Sequence, residues 1–130
     1  MPEMRFFQPS SGQPAIGPYS PGVACGQLLF VSGQIPRDAS GNMAGASIEA
    51  ATGQALQNLR GVLAAAGCGP ADVVKTTVFL RDLADFAGMN KTYAEFFGNH
   101  RPARSTIQAA KLPADARVEI ECIAVLSTEY

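Results

Sequence analysis

SIEAATGQALQNLRGVLAAAG (residues 47–67), followed by VVKTTVFL (residues 73–80), decides the fold. In the first segment Ile48, Ala51, Ala55, Leu56, Leu59, Val62, Leu63 and Ala66 recur at three- and four-residue steps, which places them on one face of an α-helix. Ser47 offers an N-cap hydroxyl and Gly67 a C-terminal stop, so the spacing predicts a helix from 48 to 66. The second segment alternates and is rich in β-branched residues, whose stiff side chains suit a pleated surface. It reads as a strand.

Outward from this pair, residues 4 to 7 and 28 to 33 read as strands. They are joined by IGPYSPG (16–22), whose prolines and glycines forbid regular pairing and set Tyr19 on a stiff loop. A second helix is expected near Phe86 to Phe97, where Phe86, Met89, Tyr93 and Phe96 share a face. Strands around 103–109 and 118–126 follow. The order β, β, α, β, α, β, β predicts an α+β fold, a mixed β-sheet with two helices on one face. Val74, Val78, Ile107 and the alternating apolar residues of 118–126 offer more apolar surface than two helices readily cover, so an oligomer that buries the far side is expected.

A chain of 130 residues fits one domain spanning 1–130, and 47% hydrophobic residues give it enough apolar surface to offset chain entropy. Ten basic against eleven acidic residues leave a formal charge of −1, which provides no general attraction to nucleic acid or to an anionic membrane. Arg101, Arg104, Lys111 and Arg117 are nevertheless close in sequence and could form a local patch. The start, MPEMRFF, lacks an apolar signal core, and no apolar run reaches spanning length, so a cytoplasmic protein with no membrane partner is expected. Cys25, Cys68 and Cys122 are scattered without metal-type spacing, as reduced thiols would be, and neither a disulfide nor zinc is expected.

Elimination narrows the chemistry. There is no Gly-x-Ser-x-Gly elbow, no His-Glu-x-x-His and no phosphate loop, and the one histidine, His100, lies in the polar connector GNHRP, where a solvated loop residue is expected. Carboxylates, hydroxyls and arginines remain, groups suited to positioning and polarising a substrate in an intrinsically easy reaction. Arg104 stands inside the strand segment PARSTIQA (102–109), and a semi-buried guanidinium needs an anion, internal or bound.

Alternation puts Arg104, Thr106 and Gln108 on one face of their strand and Glu119, Glu121, Ile123 and Val125 together on one face of the last. If 110–117 closed a simple hairpin, Arg104 would stand opposite about Ile123, nearer Glu121 than Glu119. Local pairing therefore does not join Arg104 to Glu119. Two readings stay open: a structural ion pair with one of these glutamates, or a clamp for a bound carboxylate. Tyr19 is either a turn residue packed on the core edge or a ligand contact, and Asn90 either a solvated helix residue or a ligand contact. Ser32 could satisfy a strand-end backbone group, while Gly33 permits close backbone approach by a ligand.

Taken together, GPYS (17–20), SGQIP (32–36), VVKTTVFL (73–80), PARS (102–105) and VEIE (118–121) closely resemble the RidA (YjgF) family of reactive-intermediate deaminases, in order and across nearly the whole chain. The resemblance implies a chorismate mutase-like fold and a homotrimer with helices outside, sheets inside and three intersubunit clefts. It implies hydrolysis of 2-imino acids or their enamine tautomers, such as 2-iminobutanoate and 2-iminopropanoate, to 2-keto acids and ammonia, with small 2-imino or 2-keto acids as ligands and no cofactor. By motif, Arg104 would grip the substrate carboxylate and Glu119 would deprotonate the attacking water. Tyr19, Ser32, Gly33, Asn90 and Thr106 would line the pocket. Thr106 stands where many members have cysteine, so redox regulation through that thiol is not expected, and the connector from Phe97 to Pro102 is shorter than in some relatives. Competing readings are a 2-aminomuconate-type enamine deaminase, an endoribonuclease, and a non-catalytic module that binds small carboxylates; the charge balance and the lack of aromatics around the basic residues argue against nucleic acid.

Overall fold

In the computed structural model, which describes residues 3–12 and 15–127, the chain forms strands β1 (Met4–Phe7), β2 (Gly22–Cys25) and β3 (Leu28–Gln34), helix α1 (Ile48–Ala65), β4 (Val73–Leu80), helix α2 (Phe86–Phe97), β5 (Ala103–Gln108) and β6 (Val118–Val125). α1 begins where expected, with the Ser47 hydroxyl accepting from the Ala50 N–H at 3.0 Å. Just past its end Gly67 takes φ +77, a conformation that side chains with a Cβ resist. In α2 the buried face is Met89, Tyr93 and Phe97, so Phe97 takes the inward place expected for Phe96, while Phe86 stays 39% exposed.

All six strands join one mixed sheet in the order β1-β2-β3-β6-β4-β5. β2 is a strand absent from the expected order: four residues beginning with glycine are too short for a periodic signal, yet they close a hairpin onto β3 through Gly26 and Gln27. β5 and β6 are not joined as a simple hairpin. β6 instead runs antiparallel to both β3 and β4, while β5 lies parallel to β4 at the edge. The 109–117 connector thus carries the chain past β4, and two crossovers through α1 and α2 set both helices on one face, as expected of the α+β arrangement.

Between the helices and the sheet lies the core. It is built from Leu29 and Val31 of β3, Val78 and Leu80 of β4, Val118, Ile120 and Ala124 of β6, and Leu56, Leu59 and Leu63 of α1. Among the described residues, much of the opposite sheet face is left uncovered. There, cross-strand registers set Met4, Cys25, Leu28 and Val125 in one row and Phe6, Val23, Phe30 and Ile123 in another. Met4, Phe6, Leu28 and Phe30 are between 41% and 64% exposed, far more than isolated surface apolar residues would need explaining.

Candidate active site

Register decides which candidate residues can meet. Arg104 of β5 pairs with Thr76 of β4, and Thr76 pairs with Cys122 of β6; both partners are buried on the helix side. Arg104 and Thr106 therefore face the helices. Glu119, three residues before Cys122, faces the other way, together with Glu121. The structure thus divides the expected site into two half-sites on opposite faces of one sheet.

The first half-site surrounds Arg104. Its Nη1 donates to Asn90 Oδ1 at 2.7 Å, and its Cζ lies 4.7 Å from the Tyr93 ring centroid and 5.5 Å from that of Phe86. Phe86, Asn90 and Tyr93 fall at i, i+4 and i+7 on α2, one stripe turned toward the sheet edge. Tyr93 Oη shares a 2.6 Å hydrogen bond with Thr76 Oγ1, and burial pushes its phenol up, so the ring stays neutral. The ion pairs among the described residues are Arg81 with Asp115 and Arg117 with Asp85. An internal pairing of Arg104 with Glu119 or Glu121 is thereby overturned, because those glutamates leave from the other face. Thr106 Oγ1 is buried with no hydrogen-bond partner among the described residues.

The second half-site is a cavity of about 620 Å³ lined by Tyr19, Ser32, Gly33, Pro113, Glu119 and Glu121, among others. Between Val31 and Gln34 the β3–β6 register slips, so that Ser32 and Gly33 bulge opposite Glu121. The Glu119 side chain fills the space this leaves: a Cβ on Gly33 would sit 2.8 Å from Glu119 Cδ and 2.9 Å from its Cγ. Burial, and then the neighbouring Glu121 carboxylate, raise the Glu119 pKa above the usual carboxylate value. Ser32 Oγ donates to the Ser20 carbonyl at 2.7 Å and the Ser32 N–H to that of Pro21, which pins the Tyr19 loop beside the cavity. Tyr19 itself is 52% exposed.

Other reactive groups are structural. His100 is half-buried, not a solvated loop residue: its Nε2 lies 2.6 Å from the Val73 carbonyl and ties the end of α2 to the start of β4. Burial pushes the Cys122 thiol up to about 12, which leaves it without a thiolate to react. Of the basic residues close in sequence, Arg117 is paired with Asp85 and Arg101 donates to the Gly98 and His100 carbonyls.

Sequence reasoning passed over two contributors. Phe86 and Tyr93 were assigned to a packing face, although their seven-residue spacing around Asn90 was the available signal. Pro113 and Ala114 line the cavity from a turn in which Ala114 and Asp115 both take positive φ, 54° and 53°, held by Arg81 on the Asp115 carboxylate and carbonyl. Nothing in the residues 112–116 as a string marks that conformation.

Among proteins of known sequence and structure, the family model described as Endoribonuclease L-PSP matches residues 10–126. The 2-iminobutanoate/2-iminopropanoate deaminase of Salmonella typhimurium is 46% identical over 114 residues, covering 85% of this chain and 89% of that protein. The crystal structure of Escherichia coli TdcF with bound serine superposes with a TM-score of 0.89 at 40% identity, covering 95% of this chain and 99% of that one. The Escherichia coli YjgF gene product gives a TM-score of 0.88 at 43% identity, covering 93% and 98%. With the sheet order, the Gly33–Glu119 contact and the Arg104 strand already in place, these likenesses settle the relationship: the chain belongs to the RidA (YjgF) family.

Proposed function

We propose that this protein is a hydrolytic deaminase of small 2-imino acids and their enamine tautomers, with 2-iminobutanoate and 2-iminopropanoate as representative substrates. The observation that carries the reading is Arg104: a guanidinium held by Asn90 and two aromatic rings, with no carboxylate beside it among the described residues. A cation so placed is free to take an external anion, and the substrate carboxylate matches its planar fork. The curated relative's activity points to the same acid class.

In this mechanism Glu119 takes a proton from water as the water oxygen bonds to the imine carbon. The imine nitrogen takes up the C=N electron pair and a proton from solvent to give the carbinolamine, whose nitrogen then receives the proton held by Glu119. The C–N bond breaks as the hydroxyl oxygen forms C=O and gives its proton to solvent, and ammonia and the 2-keto acid leave. Imines hydrolyse unaided, so orientation and one general base suffice, and no cofactor enters. Arg104 and Glu119 occupy opposite faces in one chain, so the complete site joins Arg104 of one protomer to the Glu119 cavity of its partner. A homotrimer of single-domain protomers meets that need and covers the rows from Met4 and Phe6 across to Val125 and Ile123. Tyr19, Ser32, the Gly33 backbone, Asn90 and Thr106 line the joined cleft. Among the described residues no helix is long and apolar enough to cross a membrane. Cys25, Cys68 and Cys122 are free thiols, as a reducing compartment such as the cytoplasm would keep them.

The test generates imine in situ with an amino-acid oxidase and traps what remains with semicarbazide. Purified protein should accelerate keto-acid release and deplete the trapped product; release at the uncatalysed rate would sink the reading. Saturable 2-keto acid binding without turnover would identify a binding module instead. Salt-dependent RNA cleavage lost in Arg101→Ala would favour the endoribonuclease reading, although Arg117 is paired with Asp85 and a formal charge of −1 gives no general pull on phosphate.

Two variants probe the second half-site. Gly33→Ala should fold normally yet lose activity by about 10²-fold, because the added methyl displaces the Glu119 carboxylate by roughly an ångström; a thermal melt beside steady-state kinetics separates the two effects. Glu119 acts as a base only when ionised, and its pKa is raised, so kcat/KM should climb with pH through a limb above the ordinary carboxylate range. Glu121→Gln removes the like charge and should move that limb to lower pH. A limb that stays put in the variant would show that burial alone sets it.

A further inference from the structure

Arg104 sits on an edge strand, where an arginine side chain would ordinarily sample many rotamers, yet three residues of one helix engage it. We infer that the rings of Phe86 and Tyr93 form an aromatic bracket that fixes the Arg104 guanidinium in the orientation needed to grip a carboxylate, which makes both of them positioning residues for the site. The inference rests on the deaminase reading for the identity of the anion, and on the geometry for the rest.

Three observations carry it. First, the rings hold the cation without supplying a negative oxygen, so they orient the charge and leave it unneutralised, as a site awaiting an anion requires. Asn90 Oδ1 occupies Nη1, which aligns the guanidinium plane and leaves donors on its other nitrogens. Second, the Tyr93 ring is itself fixed. Its hydroxyl bonds to Thr76, a fully buried residue in register with Arg104 on the neighbouring strand, and its ring packs at 4.8 Å against Phe97. Ring and guanidinium are thus referenced to the same pair of strands. Third, Phe86 is 39% exposed in a helix whose other large apolar residues are mostly covered, so its contact with Arg104 is not a by-product of core packing.

The test uses the full-length protein and 2-oxobutanoate, the keto acid that 2-iminobutanoate would yield, as the probe in titration calorimetry, beside KM and kcat for imine hydrolysis. Phe86→Leu and Tyr93→Leu should each weaken 2-oxobutanoate binding by about 2- to 30-fold, with KM rising in step and kcat changing less than about twofold. Tyr93→Phe, which keeps the ring, should restore most of the affinity. Phe86→Leu alters a partly exposed position and keeps the question answerable if Tyr93→Leu is poorly folded. Leucine variants that bind 2-oxobutanoate as tightly as the parent, whatever their melting temperatures, would overturn the bracket and leave both rings as packing. If the parent binds 2-oxobutanoate but hydrolyses no imine, the reaction assignment falls, while weakened binding in the leucine variants still supports the bracket.

Discussion

Arg104→Ala should lower kcat/KM for 2-iminobutanoate by about 10²- to 10³-fold, chiefly through KM. Losing one member of a hydrogen-bonded charge pair in a shielded site costs about 2–5 kcal/mol, and each 1.36 kcal/mol is about tenfold in rate. Several features of this arginine favour the upper part of the range. It is held by a neutral amide and two rings, none of which can take over the carboxylate's charge. Arg104→Lys should recover little, since an ammonium keeps the charge but offers neither the planar fork nor the face that the rings engage. Steady-state kinetics on the three proteins, with circular dichroism to confirm folding, checks the expectation. An alanine variant with unaltered kcat/KM would remove the arginine from the site and return the carboxylate to another donor.

Glu119→Gln should leave KM within a few fold and reduce kcat by about 10²- to 10⁴-fold, the usual contribution of a positioned general base. The amide matches the carboxylate in shape, so the tight contact with Gly33 survives and only the ability to accept a proton is lost. The same change has a second signature. The acid limb attributed to the raised Glu119 pKa should vanish from the remaining rate, and this separates loss of a base from loss of a structural contact. A variant that keeps both its rate and its limb would assign the base elsewhere, and Glu121 would be the first residue to examine because it shares the cavity.

Much of this architecture was legible along the chain. Three- and four-residue spacing located α1 and α2, and β-branched alternation located β4, because these signals come from single elements whose buried face repeats with their own geometry. Alternation also grouped Arg104 with Thr106, and Glu119 with Glu121, each pair on one face of its strand. Pairing was not legible. The residues leave the neighbours of β5 and β6 open, because strand neighbours depend on which edges remain free once the helices have crossed over, and nothing local in residues 109–117 encodes passage beyond β4. Gly22–Cys25 was missed for a related reason, since so short a strand is defined by its partners on either side. At the site, the residue types were visible and their grouping was not: that Tyr93 would reach both Thr76 and Arg104 required the helix to be laid on the sheet.

The position of β6 has a consequence for how the molecule comes into being. It follows the other five strands in sequence yet occupies the interior of the sheet, bonded to β3 on one side and β4 on the other. During synthesis, therefore, β1–β3 and β4–β5 can only wait as separate ribbons with open edges until residues 118–125 leave the ribosome and zip them together, a late long-range closure of the sort that slows folding and invites mispairing. Glu119 arrives on that same closing strand. Under the proposed mechanism, a nascent chain thus acquires the glutamate it would offer to a partner's Arg104 in the step that completes its sheet.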